Sequence, residues 1–524
     1  MCCSSSCSAE QRRRPSRSSC PGVVCFGSSG SGSRTRTTPR RLRAANRSGD
    51  IRALSTDQPS PVEAEPGSFR DPDSRVFYAD GAVYRALSER GAANWDAVAN
   101  TRAFARFVAD GRVVGTERVD REVRANVLDG AAAVLRHELV PIVSYPYEWT
   151  FGMLKDAALL QLQLLREALA EDLVLKDATP YNIQWRGIRP VFVDVGSFEP
   201  LEPGDPWVGY RQFCMLFLYP LLLAAYKGVP FQPWLRGSID GISPQEMRGL
   251  ISLRDLLRRG VFTHVHLHSR LERRHGTTDR DIRAELRRAG FRKELIEANV
   301  RRLEKLVRRL RPRGAISGWT DYHATTSYTE READRKAQFV ATAVGARRRS
   351  LVWDLGANDG RFSRLAAANA DYVVAIDADA AVADALYTAL KAEAAASILP
   401  LTMDLVDPSP GLGWGGRERG PLEERGRPEL TLCLALVHHI AITASVPIRA
   451  FLEWLRSLGT ELVIEFPTRE DPMVQRLIAA KRERVHPDYD RAPFERALRD
   501  LFDVETTMEL ADGQRVLYVA RPRE

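Results

Sequence analysis

Leu351 to Ser363 reads LVWDLGANDGRFS: an apolar run, an acid at its end, a glycine turn, then the opening of an amphipathic helix. That order predicts a strand running into a nucleotide-type loop. Gly356 permits the sharp turn, and Gly360 lets the helix begin close against the strand, leaving free backbone amides beside a ligand. Position 358 discriminates between ligands. A dinucleotide fingerprint needs a glycine there so that backbone can approach a pyrophosphate, and this chain has Asn358.

From Leu351 onward apolar strands alternate with helical patterns, which predicts a mostly parallel sheet. The second strand, Tyr372 to Asp377, ends in a carboxylate 17 residues after Gly360, suited to grip two ribose hydroxyls. The third, Ile398 to Met403, runs into Asp404-Leu405, a polar and an apolar group able to flank an adenine ring. The fourth, Leu430 to Leu436, leads into Val437-His438-His439, and the fifth, Glu461 to Phe466, carries Glu465 at its end. Phe502 to Leu510, an Asp512-Gly513 turn and Arg515 to Ala520 form a closing hairpin. S-adenosylmethionine has no phosphate, and its sulfonium and amino groups favour nearby acids. Asp354 lies where such an acid would help.

At these residues the last two hundred positions resemble the class I S-adenosylmethionine-dependent methyltransferases. DLGANDG is similar to their first motif, Asp377 to the ribose-binding acid, Asp404 to the adenine-contacting position, LALVHH to the fourth motif, and the closing hairpin to their sixth and seventh strands. The resemblance implies a Rossmann-like α/β domain with a mostly parallel seven-stranded sheet and a terminal antiparallel hairpin. It also implies S-adenosylmethionine held by Asp354, Gly356, Asn358, Gly360, Asp377, Asp404 and Leu405, and methyl transfer to an unidentified acceptor. His438, His439 and Glu465 are the candidates to accept a proton from that acceptor, against the alternative that the histidines only satisfy loop carbonyls. Tyr322, Tyr328 and Lys336 either cap the methionine end or pack a leading helix. Gly411 to Gly426 reads as a flexible loop or a lid. A Rossmann-like domain without cofactor, or one using a nicotinamide, is the competing reading.

Ahead of this domain, Leu173 to Pro200 reads LVLKDATPYNIQWRGIRPVFVDVGSFEP, with Asp177 and Asn182 five apart and Asp194 at the end of a strand. In phosphoryl transfer one Asp orients the acceptor hydroxyl, an Asn and a second Asp hold magnesium, and a glycine permits the turn after it. The segment resembles the protein-kinase and aminoglycoside-phosphotransferase superfamily, which implies an α+β domain, with Mg-ATP at Asn182 and Asp194 if the half is active. The histidine usual before the catalytic Asp is replaced, since Leu175-Lys176 precede Asp177, and two further parts of the family pattern are missing. There is no glycine-rich phosphate loop, and no lysine precedes Lys155, so the phosphate-holding lysine is absent unless Arg85 or Arg118 substitutes. The alternative is a helical substrate-recognition domain in which Asp177 caps a turn and Asp194 pairs with an arginine. Arg75 to Leu87 around Asp80-Gly81 predicts a hairpin, and Gly111 to Val119 a strand. Met153 to Ala170, Arg211 to Tyr226 and Asp279 to Leu310 predict helices, the middle one buried. His264, His266 and His268 alternate as on a strand, but without companion acids or cysteines they read as an exposed strand or helix face and not as a metal site. Taken whole, this domain order is similar to bacterial methyltransferases grouped with nodulation host-specificity proteins.

Composition sets the frame. A chain of 524 residues exceeds one ordinary core, and we divide it into 1–66 (an Arg/Ser-rich tail and linker), 67–312 (the kinase-like or substrate-recognition half) and 313–524 (the methyltransferase-like half). Residues 1–50 hold ten arginines against Glu10 and Asp50, a surplus equal to the net charge of +8 of the whole chain. The remainder is neutral, so charge makes no positive case for a nucleic-acid partner. The tail reads as disordered, as a transit peptide, or as the product of a misassigned start. Five of seven cysteines lie in it, leaving Cys214 and Cys433, which fits a reducing, cytoplasmic setting. No run reaches the roughly 20 apolar residues of a membrane span.

Overall fold

The computed structural model describes residues 62–119, 130–274, 292–314, 329–480 and 489–523. The first sheet is antiparallel, with β1 (Glu63–Ala64), β2 (Ser74–Ala79), β3 (Ala82–Leu87), β4 (Thr116–Val119) and β5 (Ala133–His137) in the order β1-β2-β3-β5-β4. Asp80 and Gly81 both take positive φ, 50° and 69°, as the tight turn between β2 and β3 requires. The sheet begins inside the stretch read as linker, because Glu63 pairs with Tyr78 and Glu65 accepts from the Tyr78 hydroxyl at 2.8 Å. The strand expected from Gly111 starts later, at Thr116: Gly111 turns at φ 73° and Val113 makes only a bridge to Phe192.

Helix Phe151–Leu169 is capped by Thr150, whose hydroxyl accepts from Met153 N, and is buried on nearly every face. Short strands follow, β6 (Leu173–Leu175), β7 (Ile183–Arg186), β8 (Arg189–Phe192) and β9 (Phe198–Pro200), pairing β6 with β9 and β7 with β8. The buried helix expected at Arg211 runs from Tyr210 to Lys227 with widened turns. Of the segment Asp279 to Leu310, the described part is helix Lys293–Arg309, whose stripe Ile296, Val300, Leu303 and Val307 packs toward helix Phe151–Leu169. The three histidines sit on a helical segment and not a strand, and each has its own partner. His264 Nδ1 bonds the Tyr210 hydroxyl and His268 Nδ1 that of Tyr219, both at 2.8 Å, while His266 accepts from Arg248. His264 is buried, so the face is not the exposed one expected.

The second sheet contains β10 (Arg349–Leu355), β11 (Ala370–Asp377), β12 (Ile398–Thr402), β13 (Leu430–Cys433), β14 (Glu461–Pro467), β15 (Phe502–Leu510) and β16 (Arg515–Pro522). Their order is β12-β11-β10-β13-β14-β16-β15, parallel from β12 to β14, with β16 antiparallel to both neighbours. β10 and β11 are buried on both faces, which is why they read as continuous apolar runs. The chain order reverses between β10 and β13, so a crevice opens at the carboxyl ends of these strands.

Both halves share one hydrophobic cluster, which extends from Leu87 to Ala520. Polar ties cross it. The Tyr372 hydroxyl accepts from Gly187 N at 2.8 Å and donates to Trp185 O at 3.2 Å, and Gly152 N donates to Asp384 at 2.6 Å. The Gly411 to Gly426 insertion, expected to be a flexible loop or lid, is fastened instead to the N-terminal half. Buried Glu148 receives the Arg425 guanidinium at 2.8 and 2.5 Å and the Ser409 hydroxyl at 2.5 Å. Arg419 lies over the rings of Tyr147 and Tyr181 and donates to the Tyr181 hydroxyl. Buried charge and stacked aromatics hold what glycine content alone would have loosened. Among the described residues no helix is long and apolar enough to cross a membrane. Cys214 and Cys433 are buried free thiols.

Candidate active site at the carboxyl ends of the second sheet

A cavity of about 590 Å³ opens where the strand order reverses. Gly356 and Asn358 take left-handed φ of 78° and 47° in the loop after β10, and asparagine is the side chain that tolerates this conformation best. Asn358 therefore serves the turn without glycine. Its amide donates to Asp377 Oδ2 at 2.9 Å, and Asp379 N donates to the other oxygen at 2.9 Å. The second-strand carboxylate is thus oriented by the first-strand loop. Gly360 starts helix Arg361–Ala367 at φ 75°, where a Cβ would stand 2.5 Å from Leu386.

Asp354 ends β10 almost wholly buried, accepting from the Ser363 hydroxyl at 2.6 Å. Burial raises its carboxyl to about 6. Burial also raises Asp377, although the two amides oppose it. Asp404 and Leu405 line the wall beyond β12. Six of the seven residues expected to hold cofactor therefore line one cavity, and the seventh, Gly360, starts the helix beside it.

The proton-accepting candidates separate. His439 lines the cavity, and burial lowers its imidazole to about 4. His438 lies behind it, ring centroids 4.0 Å apart, fully buried with neither ring nitrogen hydrogen-bonded. Burial, then His439 and Arg515, hold His438 well below its ordinary value. Glu465 does not line the cavity. Its oxygens receive Lys336 at 2.7 Å and Arg515 at 3.1 Å, and Arg515 also reaches Asp471 at 2.7 Å. Lys336 lines the cavity and stands 5.0 Å from the Phe362 ring centre. Tyr322 and Tyr328 fall outside the described residues.

Sequence reasoning missed Arg515 and Asp471, and also Ala435, which lines the cavity at φ 52°, a strained conformation for alanine. Lys336 carried a usable signal. It lies in register with Val340 and Val344, eight residues along one helical stripe, all three buried.

In the N-terminal half Asp177, Asn182 and Asp194 also converge. Asn182 Nδ2 donates to Asp194 Oδ2 at 3.2 Å, and the Ser197 hydroxyl bonds Asp194 at 2.6 Å and Asp177 at 3.4 Å. Arg85 from β3 donates to Asp194 Oδ1 at 2.8 Å and to Ser74, with His137 at 3.3 Å. Burial raises Asp177 to about 6. Burial would raise Asp194 too, but Arg85 and Ser197 outweigh it and hold that carboxyl low. Among the described residues no three or more His, Cys, Asp or Glu side chains are grouped to hold a metal ion.

A seven-stranded sheet in this order, with its cavity at the carboxyl ends of the parallel strands, is the fold of the class I methyltransferases. The chain is 32% identical over 454 residues to the nodulation protein NoeA of Rhizobium meliloti (strain 1021), covering 86% of this chain and 94% of that protein. The chain belongs to the NoeA family. No family model matches it. Solved structures similar to part of it include the N-methyltransferase NodS of Bradyrhizobium japonicum WM9 with S-adenosyl-L-homocysteine. That match has 12% identity, 40% of this chain, 95% of that chain and a TM-score of 0.29. Magnesium protoporphyrin IX methyltransferase of Synechocystis PCC 6803 matches at 18% identity, 39% and 92% coverage and a TM-score of 0.28.

Proposed function

We propose that this chain is an S-adenosylmethionine-dependent methyltransferase, with the cofactor held at the carboxyl ends of β10, β11 and β13 and the acceptor presented beside His439. The observation that carries this reading is the charge of the cavity. Its lining has five aspartates and Glu330 against Lys336 and Arg361, and Lys336 is committed to Glu465. That balance repels a pyrophosphate and suits a cationic ligand. Asp377 would hold the ribose hydroxyls, Asp354 would face the amino and sulfonium charge, and Asp404 and Leu405 would bracket the adenine.

When bound, S-adenosylmethionine supplies a methyl group already activated for in-line displacement, so positioning and exclusion of water do most of the work. His439, kept neutral by its surroundings, is the group on the cavity wall able to take the acceptor's proton. Glu465 acts indirectly, by fixing Lys336 against the cavity. Calorimetric titration of S-adenosylmethionine and S-adenosylhomocysteine into the full chain tests the assignment. Binding that Asp377→Ala abolishes supports it, and absence of binding in the parent sinks it.

The N-terminal half fits a kinase-like module that no longer transfers phosphate. Its support is the order of elements from the antiparallel sheet to Asp177, Asn182 and Asp194, together with Arg85 on Asp194, where a magnesium ion would have to sit. Its role would be recognition of the acceptor and support of the cofactor wall through Glu148 and Arg236, the latter bonded to Asp407 at 2.9 Å. Calorimetric binding of Mg-ATP to the full chain would restore the bifunctional alternative.

A further inference from the structure

The surface that neither site uses lies at residues 251–274, ISLRDLLRRGVFTHVHLHSRLERR. Exposed large apolar side chains gather there. Leu253 is 76% exposed, Leu257 92% and Phe262 56%, and Leu267 and Leu271 are exposed as well. Phe262, Leu267 and Leu271 follow one another at about one turn of a widened helix, so they share a side.

Arginine surrounds them. The stretch holds six arginines against Asp255 and Glu272, and both acids are neutralised from within the fold. Asp255 takes Lys227 at 2.9 Å and Arg258 at 3.1 Å, and Glu272 takes Arg211 at 2.6 Å. Gly260 packs beneath Leu306, leaving no room for a Cβ, which brings helix Lys293–Arg309 alongside. That helix turns Arg302, Lys305, Arg308 and Arg309 outward.

We propose that this surface docks on an anionic lipid bilayer. Side chains exposed to this degree stand out from short helical turns. A bilayer interface accepts such protruding apolar groups while its headgroups meet the surrounding cations. A protein partner of the ordinary kind would instead need a packed core of anchors seated in pockets. The arrangement would lie on the interface, and among the described residues no helix is long and apolar enough to cross. The inference stands independently of the methyl-transfer reading.

The test is co-sedimentation of the full chain with vesicles of equimolar phosphatidylglycerol and phosphatidylcholine, and with phosphatidylcholine alone. Leu257→Ser/Phe262→Ser and Arg254→Glu/Arg259→Glu alter exposed groups only. Each should weaken binding to the anionic vesicles about tenfold or more, with circular dichroism and cofactor binding unchanged. Arg417→Glu/Arg496→Glu, a matched charge change elsewhere on the surface, should have little effect. The proposal is overturned if the parent stays in the supernatant, or if all three variants lose binding equally, which would assign it to net charge and the basic tail. It is overturned too if sedimentation velocity shows a dimer that Leu257→Ser/Phe262→Ser dissolves, since a second copy would then own the surface.

Discussion

Arg85 Nη1 donates to Asp194 Oδ1 at 2.8 Å, joining the central strand of a five-stranded sheet to the segment that follows β8. The pair ties the centre of that sheet to the segment carrying Asp194. Arg85→Ala should cost about 2–3 kcal/mol, less than a fully buried pair because both partners keep some exposure. The acid-side sign is fixed by the depressed Asp194 carboxyl. The pair's contribution is fully present above the ordinary carboxylate value of about 4 and is lost as pH falls through the lower folded value. Urea unfolding of parent and variant should therefore converge on acidification, and a gap that persists in acid would remove the pair as its source.

Glu148→Gln leaves the Arg425 guanidinium buried without its counterion. The expected loss is about 3–5 kcal/mol by thermal or urea unfolding. S-adenosylmethionine affinity should fall with it, because the freed segment continues from the Asp404-Leu405 wall. A variant as stable as the parent would show that the clamp contributes nothing.

Asp354 should make cofactor binding depend on pH. Its carboxyl, raised to about 6 by burial, is protonated in mild acid and loses its attraction for a cation. S-adenosylmethionine affinity should drop by up to about tenfold per unit below that value. The neutral thioether product should respond less. In the free protein the same shift makes stability decline as pH rises between about 4 and 6, since the folded state holds the proton more tightly. Calorimetry of both ligands across this range would expose an error if their profiles coincide.

His439, lowered to about 4, should stay neutral through the range where a free imidazole titrates. Two-dimensional NMR of the ring carbons from about pH 7.5 to about pH 5 should show no titration at this residue. A midpoint near 6.5 would mean that the ring sees more water than its burial implies.

Tyr372→Phe removes one hydroxyl that serves Gly187 N and Trp185 O together. Leaving both backbone groups unsatisfied in the core should cost about 1–3 kcal/mol. Equilibrium unfolding measures it, and a neutral outcome would imply that water reaches this seam.

Most of the second sheet is legible in the chain because each parallel strand is buried on both faces, and the first two run into an acid or glycine at their carboxyl ends. The expected strand ends fall within a few residues of β10 to β16. The residues expected to hold cofactor follow from the same logic, since they sit at strand ends, and for Gly360 a helix start, that topology brings together. What escaped is long-range. Nothing local to Arg515 announces Glu465 and Asp471 as its partners, and Ala435 gives no hint of a left-handed turn. The insertion misled for the opposite reason. Its glycines and charges look solvated, but the tyrosines and Glu148 that capture them lie more than two hundred residues earlier. The histidine trio misled through spacing, because alternate positions suit a strand as well as a helix with widened turns.

The common core carries a consequence for heredity. A gene cut near codon 312 would separate two polypeptides that each bare an apolar wall, with Tyr372 and Tyr387 stranded on one and Trp185 on the other. Each piece would then expose to water the apolar residues that the other covers. A Cβ at Gly187 would collide with the Ala396 backbone and one at Gly152 with the Tyr387 ring, so the room at each position is set by residues of the other half.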